Sequence, residues 1–167
     1  MDIQDMATAK ITGGIDLKKF IKNLIEQTGH ASLEVGFTDP EYATIAYKNE
    51  YGGEYKVDQD YKDRALKKGV HLGDTIRIPP RPFMQQTVDT KGKTWGNVLA
   101  KSIHDAQYNI PTALGLLGTK MEADVKSTIR DGDYIDNSAR TQKIKGFNKP
   151  LIDSGSMLQN VTYEVHQ

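Results

Sequence analysis

The side chains able to do chemistry are scattered. The four histidines are His30, His71, His104 and His166. None stands near another histidine or a carboxylate at metal-ligand spacing, and H-E-x-x-H is absent, so each reads as a structural or surface residue. "DGDYIDN" (131–137) opens like a calcium loop but puts Ile135 at the fifth position and Asp136 where glycine must follow. "GLLGTK" (115–120) lacks the order of a phosphate loop, and its leucines fit a buried helical stripe better. "DSG" (153–155) has no G-x-S-x-G elbow and reads as a helix start capped by Asp153 or Ser154. Asp58/Asp60 and Glu122/Asp124 are carboxylate pairs of the usual exposed kind. No catalytic, metal or cofactor site is expected.

Composition narrows the classes further. The length of 167 residues suits one domain. A chain of this size buries about 70 % of the surface it exposes when unfolded. Lys plus Arg equals Asp plus Glu at 22 each, which removes the general argument for a polycation binding nucleic acid or membrane. Cysteine is absent, excluding disulfides, thiolate zinc sites and cysteine nucleophiles. The start "MDIQDMATAK" has no secretory pattern, and no apolar run matches a bilayer span.

Two segments draw attention instead. In "TIRIPPRPFMQQT" (75–87) a strand carrying Ile76 and Ile78 inward meets three prolines and then a helix. The prolines fix a corner that would present Arg77 and Arg81 at little entropic cost, so Arg77, Ile78, Pro79, Arg81, Pro82 and Phe83 form a candidate assembly interface. The stretch "NSARTQKIKGFNKP" (137–150) carries Arg140, Lys143, Lys145 and Lys149 without an acid, a candidate basic docking loop.

The elements that position them follow from periodicity. Leu17, Phe20, Ile21, Leu24 and Ile25 recur at helical spacing up to Gly29. "ASLEVGF" alternates as a strand, "TDPEY" is turn chemistry, and "EYATIAYKNEYGG" is a short helix stopped at Gly52-Gly53. Residues 54–74 read as an excursion with a strand start and a charged helix around Tyr61–Lys68. Trp95, Val98, Leu99, Ser102 and Ile103 share a face on one helix, or two broken near 91–93. Pro111 opens a helix to about Arg130, striped by Leu114, Leu117, Met121, Val125 and Ile129. Residues 131–150 are expected as a long loop, mobile like 54–74 in the free protein. A helical turn and a strand with Val161, Tyr163 and Val165 inward close the chain. The expected class is α+β, a single domain with a small twisted antiparallel or mixed sheet packed against helices and with long loops.

"YATIAYKNEYGG", "IPPRPFMQQT" and "KPLIDSGSMLQNVTYEV", in that order, resemble the neck and tail-completion proteins of tailed bacteriophages. Mu-type virion-morphogenesis proteins and lambda-type minor tail protein Z are broadly similar. The likeness spans residues 31–166 and adds the C-terminal motif Pro150, Leu151, Ile152, Asp153, Ser154 and Gly155. The excursion 54–74 is longer than the family pattern, and Ser156 stands where a basic residue is common. The resemblance implies a non-enzymatic virion protein at the head–tail junction, made in the host cytoplasm. It implies a homo-oligomeric ring, hexameric as one stoichiometry, around viral DNA that passes without sequence-specific binding. Partners would be the head connector or stopper proteins and the tail terminator or tail tube. A tail terminator is the alternative within the class. A DNA-binding assembly module using 137–150 and an enzyme with an unrecognised acid/base pair are alternatives outside it.

Overall fold

The computed structural model describes residues 17–29 and 31–166. The expectations for His30 and for the N-terminal segment lie outside the described residues; of Leu17, Phe20 and Ile21 only the helical backbone is described. The order is α1 (Leu17–Thr28), β1 (Ser32–Gly36), α2 (Pro40–Tyr51), β2 (Gly53–Lys56), α3 (Gln59–Lys67), β3 (Thr75–Ile78), α4 (Phe83–Asp105), α5 (Ile110–Asp131), α6 (Ala139–Lys145), α7 (Ser156–Gln159) and β4 (Thr162–His166). The class is α+β. The strands make two antiparallel ribbons, β1 with β4 and β2 with β3, in place of one sheet.

The long helices follow their apolar stripes. Nothing breaks α4 near positions 91–93, and it runs unbroken for 23 residues. At the usual helical rise that is a rod of roughly 34 Å. Its turn into α5 holds Gln107 and Tyr108 at positive φ. Asn109 then caps α5 by accepting from Thr112 N, with Pro111 in the first turn. Trp95 and Asp124 tie the two helices, the indole donating to the carboxylate at 2.9 Å while Lys120 pairs with its other oxygen. Asp124 is therefore buried, against the exposure expected of the Glu122/Asp124 pair, and its charge is matched where it sits. Ile25, placed on the apolar face of α1 by its spacing, instead faces solvent. Pro40 belongs to a helix and not a turn, because Asp39 caps the first turn of α2.

The main core joins Phe83, Val125, Ile129 and Val161 with Ala46, Leu151 and Met157, and Phe37 stands edge-on to Phe83. A satellite cluster of Ala65, Val70 and Ile144 fastens α3 to α6. Ile144 is the reason residues 139–145 are a helix and not the expected loop. Ser138 caps that helix, its hydroxyl accepting from Thr141 N at 3.2 Å. Gly146, in the left-handed region at φ 86, ends it, as glycine does at many helix ends. With one buried residue in two turns, no period is there to be read.

The glycines of "GLLGTK" make room for β4. A Cβ on Gly118 would lie 2.3 Å from the Tyr163 ring, and the Thr119 hydroxyl donates to the Tyr163 hydroxyl at 3.3 Å. Alanine at Gly118 gains about 1 kcal/mol of helix propensity. Overpacking against the ring costs about 1–3 kcal/mol, so the clash wins. Gly118→Ala is expected to lower stability by about 1 kcal/mol net, seen as a lower urea midpoint; a raised midpoint would mean that Tyr163 moves freely.

Candidate functional site

One groove collects the segments the sequence singled out. It encloses about 450 Å³ between α2, the β2–β3 ribbon, α3, the proline corner, α6 and residues 151–157. Its walls carry Lys48, Lys56, Arg64, Arg77, Arg81 and Lys145 against Glu41, Asp58 and Asp153, an excess of three cations.

The corner is built from a distance. A helix start leaves N–H groups without partners, and Pro82 offers no side-chain cap to α4. The carboxylate comes from Glu50, near the end of α2, whose two oxygens accept from Met84 N at 2.9 Å and Gln85 N at 3.0 Å. Arg81 N donates to Asn49 O at 2.7 Å, so the last turn of α2 seats the corner twice. The Arg81 guanidinium turns inward, and the residue is 5 % exposed. It donates to Ile135 O at 3.0 Å, Asp136 O at 3.4 Å and Asn137 Oδ1 at 3.2 Å. Burial lowers its pKa and Asp136 partly offsets this.

The single docking surface expected of the corner is therefore corrected. Arg81 and Phe83 are interior, and Ile78 and Pro79 are half-buried against the groove. Pro82 is exposed, and so is Arg77, whose side chain has no partner among the described residues. The basic segment is likewise a helix and a turn. Lys143 donates to Gly69 O at 3.3 Å. Lys145 donates to Lys149 O at 2.5 Å and stands 4.9 Å from the Phe147 ring centre. Burial lowers the Lys145 pKa, Asp153 opposes that, and Arg81 and Arg64 add to it. Arg140 and the Lys149 side chain are exposed.

The C-terminal motif forms the groove floor. Pro150 is half-buried, and Leu151 is buried at φ 61, a strained setting for a branched residue. Asp153 is not a helix cap as expected, because it pairs with Arg64 of α3 at 2.6 Å. Gly155 occupies the cap position of α7 at φ 85, with Ser154 Oγ accepting from Ser156 N at 3.3 Å. Tyr61, beside Arg64, has its pKa raised by burial, against the lowering effect of the Arg64 charge.

Two residues escaped the sequence reading: Asn137 in the groove wall, and Glu50, which caps the helix that follows the corner. Glu50 had a usable signal, since a helix opening on proline needs an acceptor from elsewhere. Asn137 had none: it is 7 % exposed, accepts from Arg81 and Gln142, and keeps its Nδ2 without a partner. Such an orphan is uncommon in a folded interior.

Behind the corner, Tyr134 donates to Thr128 O at 2.8 Å. Burial first, then the Glu50 charge, pushes its pKa from 10.0 up to about 12. The raised value favours the neutral folded form. Its contribution is therefore complete below pH 10 and lost as pH rises to about 12. The melting temperature should fall across that window, and less steeply in Tyr134→Phe; equal slopes would show that Tyr134 is not the group responsible.

His71, His104 and His166 are exposed, and among the described residues no three His, Asp or Glu side chains gather as a metal site. Among the described residues no helix is long and apolar enough to cross a membrane. No family model, curated protein or solved structure matches this chain.

Proposed function

We propose that this chain is a structural, non-enzymatic virion protein of the bacteriophage head–tail junction, a neck or tail-completion subunit that assembles with itself as a ring. The observation that carries the reading is the convergence of the family-like segments on one groove. The corner lies far in sequence from the basic stretch and the adjoining P-L-I-D-S-G segment, yet all three contribute to the same cationic groove. A self-assembling subunit needs a face of this kind, with rigid walls and unbalanced charge that a neighbour can complement. Connector and tail proteins would be its partners above and below.

The DNA-binding alternative draws less support, because Lys143 and Lys145 are engaged by backbone carbonyls. Electron microscopy of virions and isolated tails, with the protein tagged, tests the proposal. A ring at the head–tail junction is the expected result. A ring on finished tail tubes that lack a connector would make it a terminator, and absence from particles would overturn the reading.

A further inference from the structure

One side of the groove is a part of the chain that holds together on its own. Strands β2 and β3 pair from Gly53 opposite Ile78 to Lys56 opposite Thr75, so the chain enters and leaves this part at the same end of the ribbon. At the far end Val57 N donates to Asp74 O at 2.9 Å, and Lys62 pairs with the Asp74 carboxylate at 2.7 Å. Asp58 caps α3 there by accepting from Tyr61 N. Residues 53–78 are thus an arm with one root and α3 at its tip. Among the described residues the main core takes no side chain from it. The arm packs through the satellite cluster, three buried side chains against seven in the main core, and one of the three, Ile144, belongs to α6.

Two polar ties add to that contact. Lys143 Nζ of α6 donates to Gly69 O at 3.3 Å. Arg64 Nη2 meets Asp153 Oδ2 at 2.6 Å and joins the arm to the groove floor, with both side chains about half exposed. The arm gives Tyr55, Val57, Tyr61 and Ile76 to the groove, and the body gives Ile45, Ile152 and Met157. About 450 Å³ of open space lies between them, and across such a gap packing does not hold the arm down.

We propose that the β2–α3–β3 arm is a lid: it swings open as one unit about its root while the main core stays folded, and the Arg64–Asp153 pair is the clasp that keeps it closed. Regions with few buried apolar contacts open at lower cost than the whole fold, and a half-exposed ion pair adds only a modest hold. Gly52 is pressed against Pro80, so the turning point falls on Gly53, at φ 137, a setting that suits glycine. Opening removes one wall of the groove and uncovers Val70. The inference does not rest on the head–tail reading.

The lack of native cysteine makes the test direct in the full-length protein. Val70→Cys places one thiol in the satellite cluster, and Val125→Cys places one in the main core. In native buffer a thiol reagent should label Val70→Cys at least about tenfold faster than Val125→Cys. Its rate should respond little to mild urea, because the opening exposes little surface. Adding Asp153→Asn should raise the Val70→Cys rate about threefold and leave that of Val125→Cys unchanged. In an Arg64→Gln background Asp153→Asn should add nothing, as expected of two groups that act as one pair. Hydrogen exchange of the unsubstituted protein reads the same motion without either cysteine, the α3 amides exchanging ahead of those of α5. Equal labelling of the two thiols with one urea dependence, or α3 and α5 exchanging together, would mean that the arm opens only when the whole chain unfolds and would overturn the lid. Independent, additive effects of Asp153→Asn and Arg64→Gln would overturn the clasp.

Discussion

Arg81→Ala is expected to destabilise the protein by about 3 kcal/mol, with a matching fall in the urea midpoint, whereas Arg77→Ala should leave stability unchanged within about 0.5 kcal/mol. Both arginines belong to one short sequence and look interchangeable there. The fold separates them: Arg77 stands in solvent on β3, and Arg81 is buried with three acceptors. Removing the guanidinium strands Ile135 O and Asn137 Oδ1, leaving Asn137 with neither side-chain group paired. Asn137 Oδ1 is the buried one of the two; a buried orphan costs about 1–3 kcal/mol, and the lost packing of the guanidinium adds to it, which outweighs the relief of no longer desolvating a cation. Arg81→Lys should recover only part of the loss, since one ammonium cannot reproduce a planar fork. If Arg81 were an assembly contact, the alanine variant would keep its midpoint and lose only its partners. An unchanged midpoint would therefore refute the structural role.

How far the sequence reached depends on how local each feature is. The α4 and α5 helices carry their stripes on themselves, through Val98 and Ile103 or Leu117, Val125 and Ile129, so they were legible apart from an interruption that does not exist. The pairing of β1 with β4 joins Leu33 to Val165 across nearly the whole chain, and nothing local encodes it. For the same reason two ribbons stand where one sheet was expected. The α6 helix failed the periodicity test because its one buried side chain, Ile144, answers to Ala65 and Val70 on a distant segment. The candidate site was legible as a set of segments and illegible as an arrangement. Backbone rules gave the direction of the proline corner, but which arginine turned inward was settled by the carbonyls of Ile135 and Asp136, far along the chain. Exposure cannot be read from a charge: Arg81 and Lys145 are as basic as Arg77 and Arg140.

The other large effect joins the two halves of that corner. Gly52→Ala should cost about 2–4 kcal/mol, well beyond an ordinary helix-end substitution. Gly52 sits at φ 65, where a side chain is strained on its own account. The space is also taken: a Cβ there would lie 2.6 Å from Pro80 N, 2.8 Å from Ile78 O and 2.9 Å from Pro80 Cδ. Two of these atoms are backbone and the third is in a ring, so nothing can rotate aside. Relief requires the corner to lift away from α2. That movement would pull Arg81 N from Asn49 O and the first N–H groups of α4 from Glu50. The same displacement should open the groove, since Ile78 and Pro79 line it. Gly52→Ala is thus expected to lose more stability than Gly118→Ala, which leaves the corner untouched. Urea denaturation of the two variants measures the difference. A Gly52→Ala protein with an unchanged urea midpoint would show that the corner does not pack against the end of α2 as tightly as these distances require.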